Sequence, residues 1–171
     1  MRERLNEARL RLFLRGLARE AVTESRVYLT GGASAVLLGW RDSTLDVDLK
    51  IIPDDDRLLR AIPALKESLQ INVELAAPDD FIPAVPGWEE RSPFIVREGK
   101  VGFHHYDFYG QALAKIERDH RIDRLDVGQM IEAGLVDRRR LMLFFESIRP
   151  QLYRYPAINP ERFEERVRKL Q

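Results

Sequence analysis

Between Arg26 and Ile52 the chain runs strand, glycine corner, helix, strand, an order that leaves few folds open. Arg26-Val27-Tyr28-Leu29 is β-branched and aromatic enough for a short buried strand, and Ala33 to Leu38 is apolar and built of good helix formers. Leu45 to Ile52 then interleaves apolar residues with carboxylates, the pattern of a second strand. Gly31 and Gly32 therefore fall at a strand-to-helix corner. Glycine reaches positive φ and lets the backbone come close to a neighbouring group, and the first N–H groups of a helix lack intrahelical partners. Such a corner can hold a phosphate.

In a strand, residues two apart share a face, so Asp46 and Asp48 project together while Val47 and Leu49 point the other way. Two carboxylates side by side repel unless a cation or proton intervenes, and oxygen ligands suit Mg2+ or Mn2+. Ile71 to Leu75 reads as a third strand with Asn72 and Glu74 on one face. Glu74 is either a third carboxylate beside the pair or an exposed sheet residue. A lone glycine pair is mostly a turn, and a lone Asp-x-Asp is mostly a solvated strand edge or a cap. In this order, with a strand on each side, they point to nucleotidyl transfer from a nucleoside triphosphate.

The rest of the chain fills out an α+β fold. Leu5, Leu10, Phe13, Leu14 and Leu17 make residues 2–22 an amphipathic first helix, and Pro53-Asp54-Asp55-Asp56 is a turn and N-cap before a helix carrying Leu58, Ile62 and Leu65. Residues 76–92 hold Pro78, Pro83 and Pro86 and read as a loop packed by Phe81, Val85 and Trp88. Phe94 to Arg97, Gly99 and Lys100 to Phe108 read as a hairpin, bringing the mixed sheet to about five strands. From Gln111 onward the pattern is helical. The expected division is an α/β core over residues 1–110 and a C-terminal helical bundle over 111–171 packed on it as one compact unit. His104 and His105 are adjacent on a strand and face opposite ways, which rules out a simple two-histidine metal site. Arg138-Arg139-Arg140 reads as a solvated helix face, with RNA contact as the alternative.

Composition closes off other chemistries. With no cysteine among 171 residues there is no disulfide framework, thiolate metal site or thiol nucleophile. Basic and acidic residues number 28 each, so no global charge draws the chain to nucleic acid. No apolar run approaches the roughly 20 residues of a membrane span, and the opening Met-Arg-Glu-Arg-Leu-Asn-Glu does not read as a secretory signal. The expected setting is the cytoplasm, without membrane association.

The succession of strand, Gly-Gly-Ala-Ser, helix, Arg-x-Ser-Thr-x-Asp-x-Asp, acidic third strand, and Lys115 and Asp126 in a helical tail resembles the nucleotidyltransferase-fold superfamily. Within it, the chain is similar to the AbiEii/MenT-like toxin-type nucleotidyltransferases and to related bacterial proteins of this length. The resemblance implies a nucleotidyltransferase-like mixed sheet with flanking helices, and metal binding by Asp46 and Asp48. It implies a phosphate-facing corner at Gly31, Gly32 and Ser34, with Ser43 as the serine just before the acidic pair. Ala112-Leu113-Ala114-Lys115-Ile116-Glu117 is similar to the family's lysine motif, which implies a phosphate contact for Lys115. Asp123-Arg124-Leu125-Asp126-Val127 is similar to its second acidic motif; where the family often has arginine just before it, Ile122 stands here.

Three classes of function follow. The first is a metal-dependent enzyme that moves a nucleoside monophosphate to an RNA, tRNA included, or to a protein hydroxyl, as in the toxin half of a toxin-antitoxin pair. In it Asp46, Asp48 and Glu74 hold Mg2+ or Mn2+, Glu74 alternatively serves as base, and Lys115 offsets phosphate charge. The second is a catalytically silent nucleotide or nucleic-acid binding module. The third is an antitoxin-type partner protein whose surface carries the role.

Overall fold

A computed structural model describes residues 2–171. The chain forms two compact units, one of Met1–Ala77 with Pro93–His105 and one of Pro78–Ser92 with Tyr106–Gln171. The division expected at residue 110 thus falls elsewhere, with residues 78–92 and 106–110 grouping with the C-terminal helices.

The first unit is built on a five-stranded sheet of β1 (Ser25–Thr30), β2 (Asp46–Ile52), β3 (Asn72–Glu74), β4 (Phe94–Glu98) and β5 (Val101–His105), in the order β3-β2-β1-β5-β4. β1 pairs antiparallel with β2 and parallel with β5, β2 pairs parallel with β3, and β4 closes the far edge antiparallel to β5. The α+β class and the mixed sheet expected from the sequence are both present. Three helices, α1 (Glu7–Arg19), α2 (Gly31–Leu37) and α3 (Asp56–Leu69), complete the unit.

Period-two alternation assigns the faces of the sheet. Val27 and Leu29 of β1, Val47, Leu49 and Ile51 of β2, Val73 of β3 and Val101 and Phe103 of β5 are buried in one cluster with Leu10, Phe13, Leu14 and Leu17 of α1, Val36 of α2, and Leu58 and Ile62 of α3. Each such side chain, fully removed from water, contributes on the order of 1.5–3 kcal/mol, and the i, i+3, i+4, i+7 spacing in α1 aims its four apolar residues at the sheet. The intervening residues of β2, from Asp46 to Ile52, stay partly exposed on the opposite face.

Local signals set the ends of the elements. Asp55 caps α3, accepting from the N–H groups of Arg57 and Leu58, as the acidic triplet predicts. Gly99 turns the β4–β5 hairpin at φ +54. The first helix is shorter than its apolar pattern, because Asn6 caps it by accepting from the Arg9 N–H. The preceding residues run as an extended strap: Leu5 exchanges backbone hydrogen bonds of 2.7 and 2.9 Å with Thr44, and the Glu3 N–H donates to the Gln70 carbonyl at 3.1 Å.

The second unit comprises α4 (Trp88–Arg91), α5 (Phe108–Arg118), α6 (Arg121–Glu132), α7 (Arg138–Ile148) and α8 (Pro160–Arg168), with 3-10 turns at Pro78–Asp80 and Arg149–Arg154. The proline-rich stretch read as a loop thus contains two short helical turns. Trp88 stacks on Tyr106 at 4.4 Å between ring centroids, anchoring that stretch within the unit. The strand expected to reach Phe108 stops at His105, because Asp107 accepts from the Tyr109 and Gly110 N–H groups and starts α5. Among the described residues no helix is long and apolar enough to cross a membrane.

Candidate metal and phosphate site

β2 and β3 lie parallel and in register, with Asp46 opposite Asn72 and Asp48 opposite Glu74. The pleat puts all four side chains on the face of the sheet turned away from the apolar cluster. Asn72 Nδ2 donates to Asp46 Oδ1 at 2.6 Å and to Glu74 Oε1 at 3.3 Å, so one amide bridges two of the three carboxylates. Arg2 fixes that amide from the other side, donating to Asn72 Oδ1 at 2.7 Å. Glu74 is exposed, the more solvated end of the array.

The glycine corner meets this array at Asp48. β1 ends with Thr30 opposite Asp48, and α2 begins at Gly31. Gly31 holds φ +60, and a Cβ built there would lie 2.9 Å from Asp48 Oδ2. Glycine is therefore required twice at this position, for the left-handed backbone and for the carboxylate pressed against it. At Gly32 a Cβ would lie 2.1 Å from Thr44 Oγ1, and that hydroxyl donates to the Asp46 carbonyl at 3.1 Å. The corner and the start of β2 are thereby packed on each other, with Asp48 lying where the turn after β1 opens.

The other residues of the expected site lie in different settings. Ser34 does not face outward with the glycines: it is 1% exposed, donates to the Leu29 carbonyl at 3.1 Å, and has its hydroxyl 3.0 Å from His105 Nδ1. One turn into α2, position 34 points toward the sheet. Burial, with the neighbouring His104 adding to it, lowers the His105 pKa to about 4, so the ring is neutral at pH 7. His104 stays partly exposed on the opposite face, near the Tyr28 ring at 5.4 Å, and the two histidines diverge as expected. Ser43 accepts from Arg4 Nε at 2.8 Å.

Lys115 and Asp126 belong to the second unit, where they form a buried ion pair of 2.8 Å. Asp123 lies 3.7 Å from the same ammonium and takes a two-pronged contact from Arg118, 2.8 Å to Nε and 2.6 Å to the terminal nitrogen. Burial pushes the Asp123 carboxyl up, but the Arg118 hydrogen bonds and charge, helped by Lys115 and the His120 N–H, outweigh it and hold the pKa below its usual value.

The chemistry of the donor set suits a hard divalent cation. Asp46 and Asp48 supply carboxylate oxygens on one face, and Mg2+ is commonly held by one or two carboxylates and completes its shell with water and substrate phosphate. Among the described residues no three His, Cys, Asp or Glu side chains are grouped as a metal site; Asn72 stands between Asp46 and Glu74 instead. The sequence places Asn72 on this face and Thr44 in the motif, but the contact of Arg2 across 70 residues and the packing of Thr44 on Gly32 leave no periodic signal. No family model, no curated protein and no solved structure matches this chain.

Proposed function

We propose that the chain is a metal-dependent nucleotidyltransferase that moves a nucleoside monophosphate from a nucleoside triphosphate to a hydroxyl of RNA, tRNA included, or of protein. The supporting observation is the contact between the glycine corner and the acidic strand: Gly31 at φ +60 with Asp48 Oδ2 2.9 Å from its built Cβ position, and Asp46 on the same face. A backbone turn of the kind that can face a phosphate thereby adjoins a pair of carboxylates of the kind that can hold a divalent cation, the two parts such a transfer needs.

Asp46 and Asp48 would hold Mg2+ or Mn2+, which supplies charge stabilisation at the attacked phosphorus and on the departing pyrophosphate. In the transfer, the acceptor oxygen forms a bond to the α-phosphorus, the bond from that phosphorus to the bridging oxygen breaks, and pyrophosphate leaves with the electron pair. The acceptor's proton passes to Glu74 or to solvent. Asn72, held by Arg2, keeps the Asp46 carboxylate oriented. A phosphate contact for Lys115, with a role for Asp126 beside it, is what the family resemblance implies; in the structure the two are paired with each other within the second unit.

A toxin-antitoxin role fits the same chemistry. One observation favours a silent nucleotide-binding module instead: the Asn72 amide donates to both Asp46 and Glu74 and so offsets part of their mutual repulsion. Incubation with each labelled triphosphate, Mg2+ or Mn2+, total RNA and cell extract separates the two. An enzyme releases pyrophosphate and labels an acceptor, and Asp46→Asn or Asp48→Asn lowers the rate by about a hundredfold or more. Nucleotide binding without pyrophosphate release supports the module, and full transfer by both Asn variants rejects the metal assignment.

A further inference from the structure

A concave space of about 810 Å3 lies wholly within the second unit, walled by α5, α6, the start of α7, and α8 with the residues just after it. Its size is that of a small-molecule pocket, roughly 300–1,000 Å3. Ile116, Val127, Ile131 and Leu170 give it apolar walls. Most charged groups around it are already matched: Arg124 and Arg166 on Asp119, Lys169 on Glu165, Lys115 on Asp126. Arg138 and Arg162 also line it, and among the described residues neither has an acidic partner. Glu132 lines it as well, an acceptor without an ion-pair partner among the described residues.

Gly128 leaves part of the cavity wall without a side chain. It sits inside the 12-residue helix α6, lines the cavity, and has nothing within 4 Å of a Cβ built upon it. Glycine inside a helix costs about 1 kcal/mol relative to alanine, and here neither a positive φ nor a crowded neighbour calls for it. What the missing side chain leaves is bare backbone on a cavity wall, where a flat ligand can lie close.

We propose that this cavity binds a nucleoside phosphate, its base against Gly128 and the apolar walls, its phosphates on Arg138 and Arg162, and Glu132 accepting from a ribose hydroxyl or exocyclic amine. Two arginines without acidic partners supply charge-assisted donors for the phosphates, and the apolar walls distinguish a nucleotide from a bare anion. The proposal does not rest on the transfer reading.

The test is titration of the full chain with ADP in excess EDTA, which silences any metal-dependent site. Saturable binding is expected; Gly128→Leu, which fills the wall and improves helix propensity, should abolish it while leaving the thermal midpoint the same or higher. Exposed Arg138→Gln with Arg162→Gln should weaken it about tenfold or more. Absence of saturable binding at millimolar ADP overturns the proposal, as do unchanged affinity in Gly128→Leu, pyrophosphate binding as tightly as ADP, or loss of binding in Asp46→Asn under EDTA. Tighter binding of a short single-stranded RNA than of ADP reassigns the arginines to nucleic acid and likewise overturns it.

Discussion

Gly31→Ala and Gly39→Ala together measure the contact on which the candidate site depends. Both glycines hold positive φ, +60 and +82, but a Cβ at Gly31 would meet Asp48 Oδ2 at 2.9 Å while one at Gly39 has nothing within 4 Å. Alanine in the left-handed region costs about 1 kcal/mol at either position. At Gly31 the carboxylate must also move aside, and displacing a side chain by about 30° from its rotamer costs roughly 0.5–1.5 kcal/mol. The expected loss is thus about 1 kcal/mol for Gly39→Ala and about 2 kcal/mol for Gly31→Ala, read from urea unfolding followed by far-ultraviolet circular dichroism. Only Gly31→Ala should also weaken Mn2+ binding, by about tenfold if the displaced oxygen is a ligand. Equal destabilisation of the two variants with equal Mn2+ affinity would refute the reasoning.

Two further outcomes follow from buried ionisable groups. Because the His105 pKa falls from 6.5 to about 4 on folding, the unfolded chain binds the extra proton between those values. The histidine's contribution is therefore complete above pH 6.5 and declines as pH falls toward 4; it should amount to about 2 kcal/mol lost by pH 5, and that part of the slope should vanish in His105→Asn, as read from urea midpoints at pH 7, 6 and 5. Lys115→Met removes the ammonium 2.8 Å from the buried Asp126 carboxylate and leaves Asp123 with Arg118 and the His120 N–H. A cost of about 3–5 kcal/mol is expected, and adding Asp126→Asn should cost less than the sum of the single changes; strict additivity in that double-mutant cycle would show that the pair is not coupled.

Much of the first unit was legible because its signals are local. Alternation in Leu45–Ile52 places the carboxylates opposite Val47 and Leu49, and the glycine pair falls where β1 gives way to α2. The Asp55 cap and the Gly99 turn are likewise written in a few adjacent residues. What escaped is non-local. Ser34 is polar and follows the glycines, yet every residue from Ala33 to Val36 is buried, so helix rotation rather than chemistry decides where its hydroxyl points. Lys115 and Asp126 read in the sequence as parts of two separate motifs, and their pairing emerges only when α5 and α6 fold against each other. In residues 78–92 the prolines argue against regular structure, but they sit at the edges of short turns that Tyr106 stacking and the Arg91–Asp107 pair secure.

The extended strap ahead of α1 ties the acidic face to a stretch nearly adjacent to the start of the sequence. Arg2 grips Asn72, Glu3 reaches Gln70, Arg4 holds Ser43 and Leu5 is bridged to Thr44, so four consecutive residues clamp the segments leading into β2 and β3. Trimming residues 2–5, or hanging a bulky fusion directly on them, would loosen the spacing between Asp46 and Asn72 from 70 positions away. Affinity handles for assays of this face accordingly belong away from this strap.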